Sequence, residues 1–159
     1  MQRKSFRNRQ AEDAMPHIDR ILIATRNAGK IREIAAILGR HGIETVTLAD
    51  LLMLLDVEET GATFLENAAK KASEYSAAAE MYSLAEDSGL EVAALGGRPG
   101  VLSARYAGES SDYETKIRTL LAELDEAASD DRSARFVCSM AFADPAGEGR
   151  GIRSSGVPL

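Results

Sequence analysis

Residues 20–48 restrict the possible fold more than any other part of this sequence. The stretch "RILIAT" (20–25) is a short apolar run of the kind buried in a sheet. From Ala28 to Leu38, Ile31, Ile34, Ala35 and Leu38 fall at helical spacing, and Gly42 supplies a stop just beyond. The stretch "IETVTL" (43–48) is β-branched and alternating, as in a half-buried strand. Strand, helix and strand at this spacing predict a βαβ-like opening and so an α/β chain.

The connector inside that unit is unusually rich in donors. Between Thr25 and Lys30 it carries Arg26, Asn27, Ala28 and Gly29. A strand end, a short loop and a helix start form a geometry that receives phosphate, because free amides and the positive helix end point at the anion. Thr25 and Asn27 can add neutral donors, Lys30 a full charge, and Gly29 close backbone approach. The stretch lacks the two glycines and Lys-Ser/Thr of a Walker A loop. A solvated connection with Asn27 as N-cap would carry the same residues.

Further along, Thr63 and Glu66 make a capping box that opens an Ala-rich helix to about Glu80. Its stripe of Leu65, Ala68, Ala72, Tyr75 and Ala79 is small enough for close packing on a sheet. In "SLAEDSGLEVAAL" (83–95), two apolar segments flank Ser88-Gly89, which predicts a tight turn there. A Gly/Pro-punctuated loop covers 96–108. Ser111 and Glu114 predict a second capping box, opening a helix that buries Tyr113, Ile117, Leu120, Leu121 and Leu124. "ARFVCSMAFA" (134–143) alternates Phe136, Cys138, Met140 and Phe142 as a half-buried strand, ending at the turn Asp144-Pro145-Ala146-Gly147. Residues 148–159 show no usable period and are expected to be an irregular tail.

The chemistry-bearing residues each have an ordinary alternative. Glu86 and Asp87 are adjacent, so in a strand they face opposite ways. A carboxylate there could hold Mg2+ or take a proton from water, or could simply border a hairpin tip. Glu58 and Glu59 lie in an acidic loop that could be plain solvated surface. Asn67 and Lys71 share one helix face, and Arg98 and Arg105 lie in the glycine loop. Cys138 alternates with core positions, and no His/Cys cluster suggests zinc.

The bulk numbers narrow the class. A chain of 159 residues with 45% hydrophobic and 28% charged residues is expected to form one globular domain. No apolar run approaches the roughly 20 residues that cross a bilayer, so no membrane association is expected. The net charge of −6 argues against a nucleic-acid surface. One cysteine permits no intrachain disulfide and fits a reducing, cytoplasmic setting. Residues 1–17 hold a basic stretch without an apolar h-region and are expected to be a disordered or mis-assigned N-terminal extension; 18–147 are the expected domain.

In order, Thr25-x-Asn27-x-x-Lys30-x-x-Glu33, "EETGATFLENAAKKA" (58–72), "AEDSGLEVAALGGRPGVLSARYAG" (85–108) and "ARFVCSMAFAD" (134–144) closely resemble the inosine/xanthosine triphosphate pyrophosphatase family. The resemblance runs from about Ile18 to Asp144. It implies an elongated mixed β-sheet flanked by helices, two lobes with a central cleft, and a homodimer. It also implies Mg2+-dependent hydrolysis of purine nucleoside triphosphates (ITP, dITP, XTP) to monophosphate and pyrophosphate. Carried over by position, Thr25, Arg26, Asn27, Ala28, Gly29 and Lys30 cradle the triphosphate. Glu58, Glu86 and Asp87 are the metal-site carboxylates, with Asp87 also the catalytic proton acceptor. Ser88, Asn67 and Arg105 contact the substrate.

Two departures qualify the likeness. Arg26 stands where many relatives carry glycine. In "GEGRGIRSSGVPL" (147–159) nothing matches the Phe-Gly-Tyr-Asp-like and Ser-His-Arg-like motifs with which the family reads the base. The sheet is therefore expected to be incomplete at the C-terminus and base selection poor, with activity weak or lost. A Maf-like nucleotide pyrophosphatase with another base preference, or a non-catalytic nucleotide-binding paralogue, are the alternatives.

Overall fold

A computed structural model describes residues 17–146 and 148–158, the last strand through its backbone alone. The expectation for the N-terminal extension therefore falls, His17 apart, outside the described residues. The elements are β1 (Arg20–Ile23), α1 (Ala28–Gly39), β2 (Glu44–Thr47), α2 (Phe64–Ala79), β3 (Ser83–Val92), α3 (Tyr113–Glu126), β4 (Ala134–Ala143) and β5 (Gly149–Pro158). One sheet runs in the order β2-β1-β3-β4-β5. β1 pairs parallel with β2 and β3, while β4 pairs antiparallel with β3 and β5. The sheet is thus mixed and flanked by helices, as expected. At ten residues each, β3 and β4 extend about 33 Å and make it elongated.

Packing explains why the helices lie where they do. α2 opens with both bonds of the capping box, Thr63 accepting from Glu66 N and Glu66 from Thr63 N. Its Ala68 and Ala72 lie against Ala85 of β3 and Ala141 and Ala143 of β4, joined by Leu22, Leu48, Val57 and Tyr75. Small side chains on both surfaces bring helix and sheet close together. Phe64 and Asn67 are buried on this face, whereas Leu65 is only half-buried. A second, smaller cluster gathers Val92, Leu95 and Leu124. The two clusters divide the molecule into two lobes joined by β3, with Asp87 to Gly89 between them.

Five details differ from the sequence expectations. β3 runs straight through Ser88-Gly89, and no turn occurs there. Gly89 serves close approach instead: a Cβ would lie 2.4 Å from Ser103 Oγ, 2.7 Å from Gly100 O and 2.9 Å from a Phe64 ring carbon. α3 is capped by Asp112, which accepts from Thr115 N, while Ser111 donates to Ala107 O. Of its apolar residues only Leu124 is buried, and Tyr113 is 84% exposed. The helix carries two adjacent apolar stripes, and the small second cluster covers only the one with Leu120 and Leu124. In β4 the most buried positions are Ser139, Ala141 and Ala143 beneath α2, rather than the larger residues that alternate with them.

The fifth difference is the tail. Gly149–Pro158 forms β5, although the expectation was an irregular segment. Asp144 caps the preceding turn, accepting from Ala146 N and Glu148 N. Glycine- and serine-rich sequence shows no side-chain period, so the strand owes its register to that turn and to the free edge of β4.

Gly89→Ala is expected to lower unfolding stability by roughly 1–3 kcal/mol through overpacking. Gly39→Ala, where a Cβ would meet nothing within 4 Å, is the neutral or stabilising control. Urea midpoints of the two variants check both.

Candidate active site

The loop after β1 is built by local polar bonds. Ala24 N donates to Leu84 O at 2.8 Å, holding the chain against β3 past the end of the strand. Thr25 Oγ1 accepts from Asn27 N at 3.2 Å. Asn27 Oδ1 accepts from Gly29 N at 2.9 Å and Lys30 N at 3.2 Å, closing the first turn of α1. Asn27 is therefore the N-cap, and its oxygen is committed to the helix. A Cβ at Gly29 would lie 3.1 Å from that oxygen, so the glycine serves the cap. Ala28 is exposed, and Lys30 is half-buried.

Arg26 turns aside from this turn. Its Nη1 lies 2.8 Å from Asp56 Oδ1 and its Nη2 donates to Leu55 O at 2.9 Å. It ties the acidic loop to the start of α1, and the structure does not aim it at a shared anion site with Lys30.

Glu86 and Asp87 point to opposite faces of β3, as alternation requires. Asp87 lies under α2 and is 8% exposed. Its Oδ2 accepts from Asn67 Nδ2 at 3.1 Å, and Lys71 Nζ lies 3.5 Å from Oδ1. The same Nζ is 2.6 Å from Glu59 Oε1, so one ammonium gathers two carboxylates. Asn67 is fully buried and also accepts from Gly61 N at 2.7 Å, fixing the loop that carries Glu59. Arg105 donates to Glu59 O at 3.3 Å. Burial pushes the Asp87 carboxyl above its ordinary pKa, and the charge of Glu59 adds to this; Lys71 and Asn67 pull the other way.

Glu58, the expected metal ligand, is exposed, and its carbonyl accepts from Lys70 Nζ at 2.7 Å. Its neighbour Glu59 takes the place beside Asp87. Sequence reasoning missed Glu59 and Lys71 as site residues. The signal was the one-turn spacing of Asn67 and Lys71, but nothing in a pair such as Glu58-Glu59 or Lys70-Lys71 says which member faces inward.

On the opposite face, Glu86 is 6% exposed. Thr25 Oγ1 lies 3.4 Å from its Oε1, and Cys138 Sγ 3.9 Å from its Oε2. Ser88 is half-buried on this side. Burial raises the Cys138 thiol pKa; Lys30 lowers it, and Glu86 and Asp87 raise it. Thr25, at the entry to α1, and Cys138 of β4 thus meet at Glu86 on this face. On the Asp87 face, a cavity of about 490 Å³ runs along β4 from Ser139 past Val137 to Arg135, bounded by Phe64 and Arg98.

The Asp87–Glu59 pair fits a hard cation in kind. Both ligands are carboxylate oxygens, and a single positive group already draws them together. Mg2+ needs only one or two carboxylates when substrate phosphates complete its shell. Among the described residues no helix is long and apolar enough to cross a membrane.

A family model described as the Ham1 family matches residues 21–156. The chain belongs to the Ham1 family. This Ham1-family chain is 51% identical over 125 residues to a Geobacillus kaustophilus protein named dITP/XTP pyrophosphatase, a match covering 79% of the chain and 61% of that relative. The solved Staphylococcus aureus Ham1 protein superposes with a TM-score of 0.77 at 40% identity, over 87% of this chain and 70% of the other. A nucleoside-triphosphatase / dITP/XTP pyrophosphatase from Mycobacterium abscessus gives 0.74 at 39%, over 86% and 71%. The chain thus spans about three-fifths of the Geobacillus relative's length.

The raised Asp87 pKa predicts a cost to stability. A carboxyl whose folded pKa is raised favours folding when protonated, and that stability is lost as pH climbs from the ordinary value of 3.8 through the folded one. Asp87→Asn is therefore expected to melt above the parent at pH 7 in chelator-treated buffer. The gap should close below pH 3.8, as followed by circular dichroism.

Proposed function

We propose that this chain hydrolyses ITP, dITP and XTP to the monophosphate and pyrophosphate. The observation that carries this is the largely buried Asp87–Lys71–Glu59 cluster beneath α2, in a family with relatives named dITP/XTP pyrophosphatase.

The residues divide the work as follows. The amino end of α1 and Lys30 receive the outer phosphates. Thr25, at the entry to α1, and Ser88, which follows Asp87 in β3, supply hydroxyls to the substrate. Asn67 and Lys71 hold the Asp87 carboxylate in one orientation. Held by these two donors, Asp87 is placed to act as the proton acceptor. It takes a proton from a water that attacks the α-phosphorus. The bond from that phosphorus to the bridging oxygen breaks, and pyrophosphate departs with the electron pair. Glu59 and Asp87 would hold Mg2+, which, when bound, polarises the phosphoryl oxygens and stabilises the leaving pyrophosphate. Arg105 steadies the Glu59 backbone. The cavity beside Ser139 has the volume for a nucleoside. A homodimer acting in the cytoplasm follows from the family resemblance.

Pyrophosphate release from ITP and XTP, measured with Mg2+ and again with a chelator, tests the assignment. Turnover of both, lost on chelation and reduced at least about a hundredfold by Asp87→Asn, is expected. Orthophosphate as the only product, a preference for UTP or TTP, or binding of an inosine nucleotide without turnover would each overturn it.

A further inference from the structure

Lys71 stands where a cation shared by Glu59 and Asp87 has to enter. Its Nζ lies 2.6 Å from Glu59 Oε1 and 3.5 Å from Asp87 Oδ1. The tighter contact is with Glu59, the carboxylate that reaches the site from the loop before α2. All three side chains are largely withdrawn from water, at 14%, 27% and 10% exposure for Lys71, Glu59 and Asp87, so their charges are weakly screened.

The carboxylates have anchors besides the ammonium. Asp87 Oδ2 accepts from Asn67 Nδ2 at 3.1 Å. The loop that carries Glu59 is tied on both sides of it. Asn67 Oδ1 accepts from Gly61 N, Lys70 Nζ donates to Glu58 O and Thr60 Oγ1, and Arg105 Nη2 donates to Glu59 O. None of these bonds uses Glu59 Oε1 or Asp87 Oδ1. Lys71 thus supplies Glu59 with charge more than with position.

A divalent ion and the ammonium compete for Glu59. Mg2+ takes carboxylate oxygens at about 2.0–2.1 Å, closer than an ammonium can approach, and carries twice its charge. Repulsion between the two cations drives the ammonium off Glu59, and the flexible four-carbon stem lets it give way while remaining with Asp87. A monovalent ion brings no more charge than the ammonium and gains nothing by the exchange.

We infer that Lys71 is the resident counter-ion of Glu59, displaced from that carboxylate by a divalent cation, and that it makes the pair select divalent over monovalent ions. Lys71 therefore stabilises the metal-free site and lowers its cation affinity. The inference rests on the reading of Glu59 and Asp87 as the cation's ligands.

Mg2+ alone, titrated calorimetrically into chelator-treated full chain without nucleotide, is the probe. Lys71→Met, which keeps an unbranched stem and removes the charge, should bind Mg2+ at least about tenfold more tightly than the parent. Metal-free Lys71→Met should also melt below the metal-free parent, and Mg2+ should raise its melting temperature by more. Mg2+ affinity in Lys71→Met equal to or weaker than the parent's would make the lysine a plain positioning group and overturn the inference. In the unsubstituted protein, millimolar Mg2+ should raise acylation of the Lys71 amine, mapped by peptide mass spectrometry, at least about threefold. Labelling that Mg2+ leaves unchanged would also overturn it, and that measurement needs no variant to fold. Tighter Mg2+ binding by Lys71→Met beside a parent that does not cleave ITP would uphold the displacement and remove only the pyrophosphatase reading.

Discussion

The placement of one negative charge beneath a helix governs much of this structure. Asp87 sits in the middle of β3 with α2 laid over it, where an unpaired carboxylate would be costly. Asn67 and Lys71, one turn apart on α2, meet that cost from above. They can do so because the alanines of α2, β3 and β4 let the helix settle close to the sheet. Larger side chains at Ala68 or Ala72 would lift α2 away and leave the carboxylate without its partners. The packing and the chemistry are thus one arrangement.

The same helix also sets the loop before it. Asn67 bonds Gly61, Glu66 bonds Ala62 and Thr63, and Lys71 holds Glu59. Val57 is buried in the main cluster and Arg26 grips Asp56 and Leu55. An irregular segment is in this way held at several points, and a second carboxylate arrives beside Asp87. Arg26 on one side and Lys71 on the other act as cationic clasps, one exposed and one largely buried. The less exposed one has the greater leverage, since solvent screens the other more.

β3 separates two kinds of surface. One face carries Asp87 and continues into the large cavity along β4. The other carries Glu86, Cys138 and the Thr25 hydroxyl. Adjacent acids in the sequence therefore work in different surroundings, which follows from strand alternation alone.

Much of this was legible in the sequence. The βαβ opening, the capping box of α2, the Asn27 cap and the turn at Asp144 are encoded by residues close together in the chain, whose bonds are local. What the tertiary structure alone decided is which member of each ambiguous pair faces inward. Glu59 and not Glu58 joins Asp87, Lys71 and not Lys70 bridges them, and the Leu120–Leu124 stripe of α3 is covered while Tyr113 is not. Gly89 looked like a turn because the loop pressing on it, at Gly100 and Ser103, lies more than ten residues away. β5 has no side-chain signature, since a strand paired through its backbone at a free edge needs none. Local bonding is written in neighbouring residues; facing and contact depend on what the rest of the chain brings alongside.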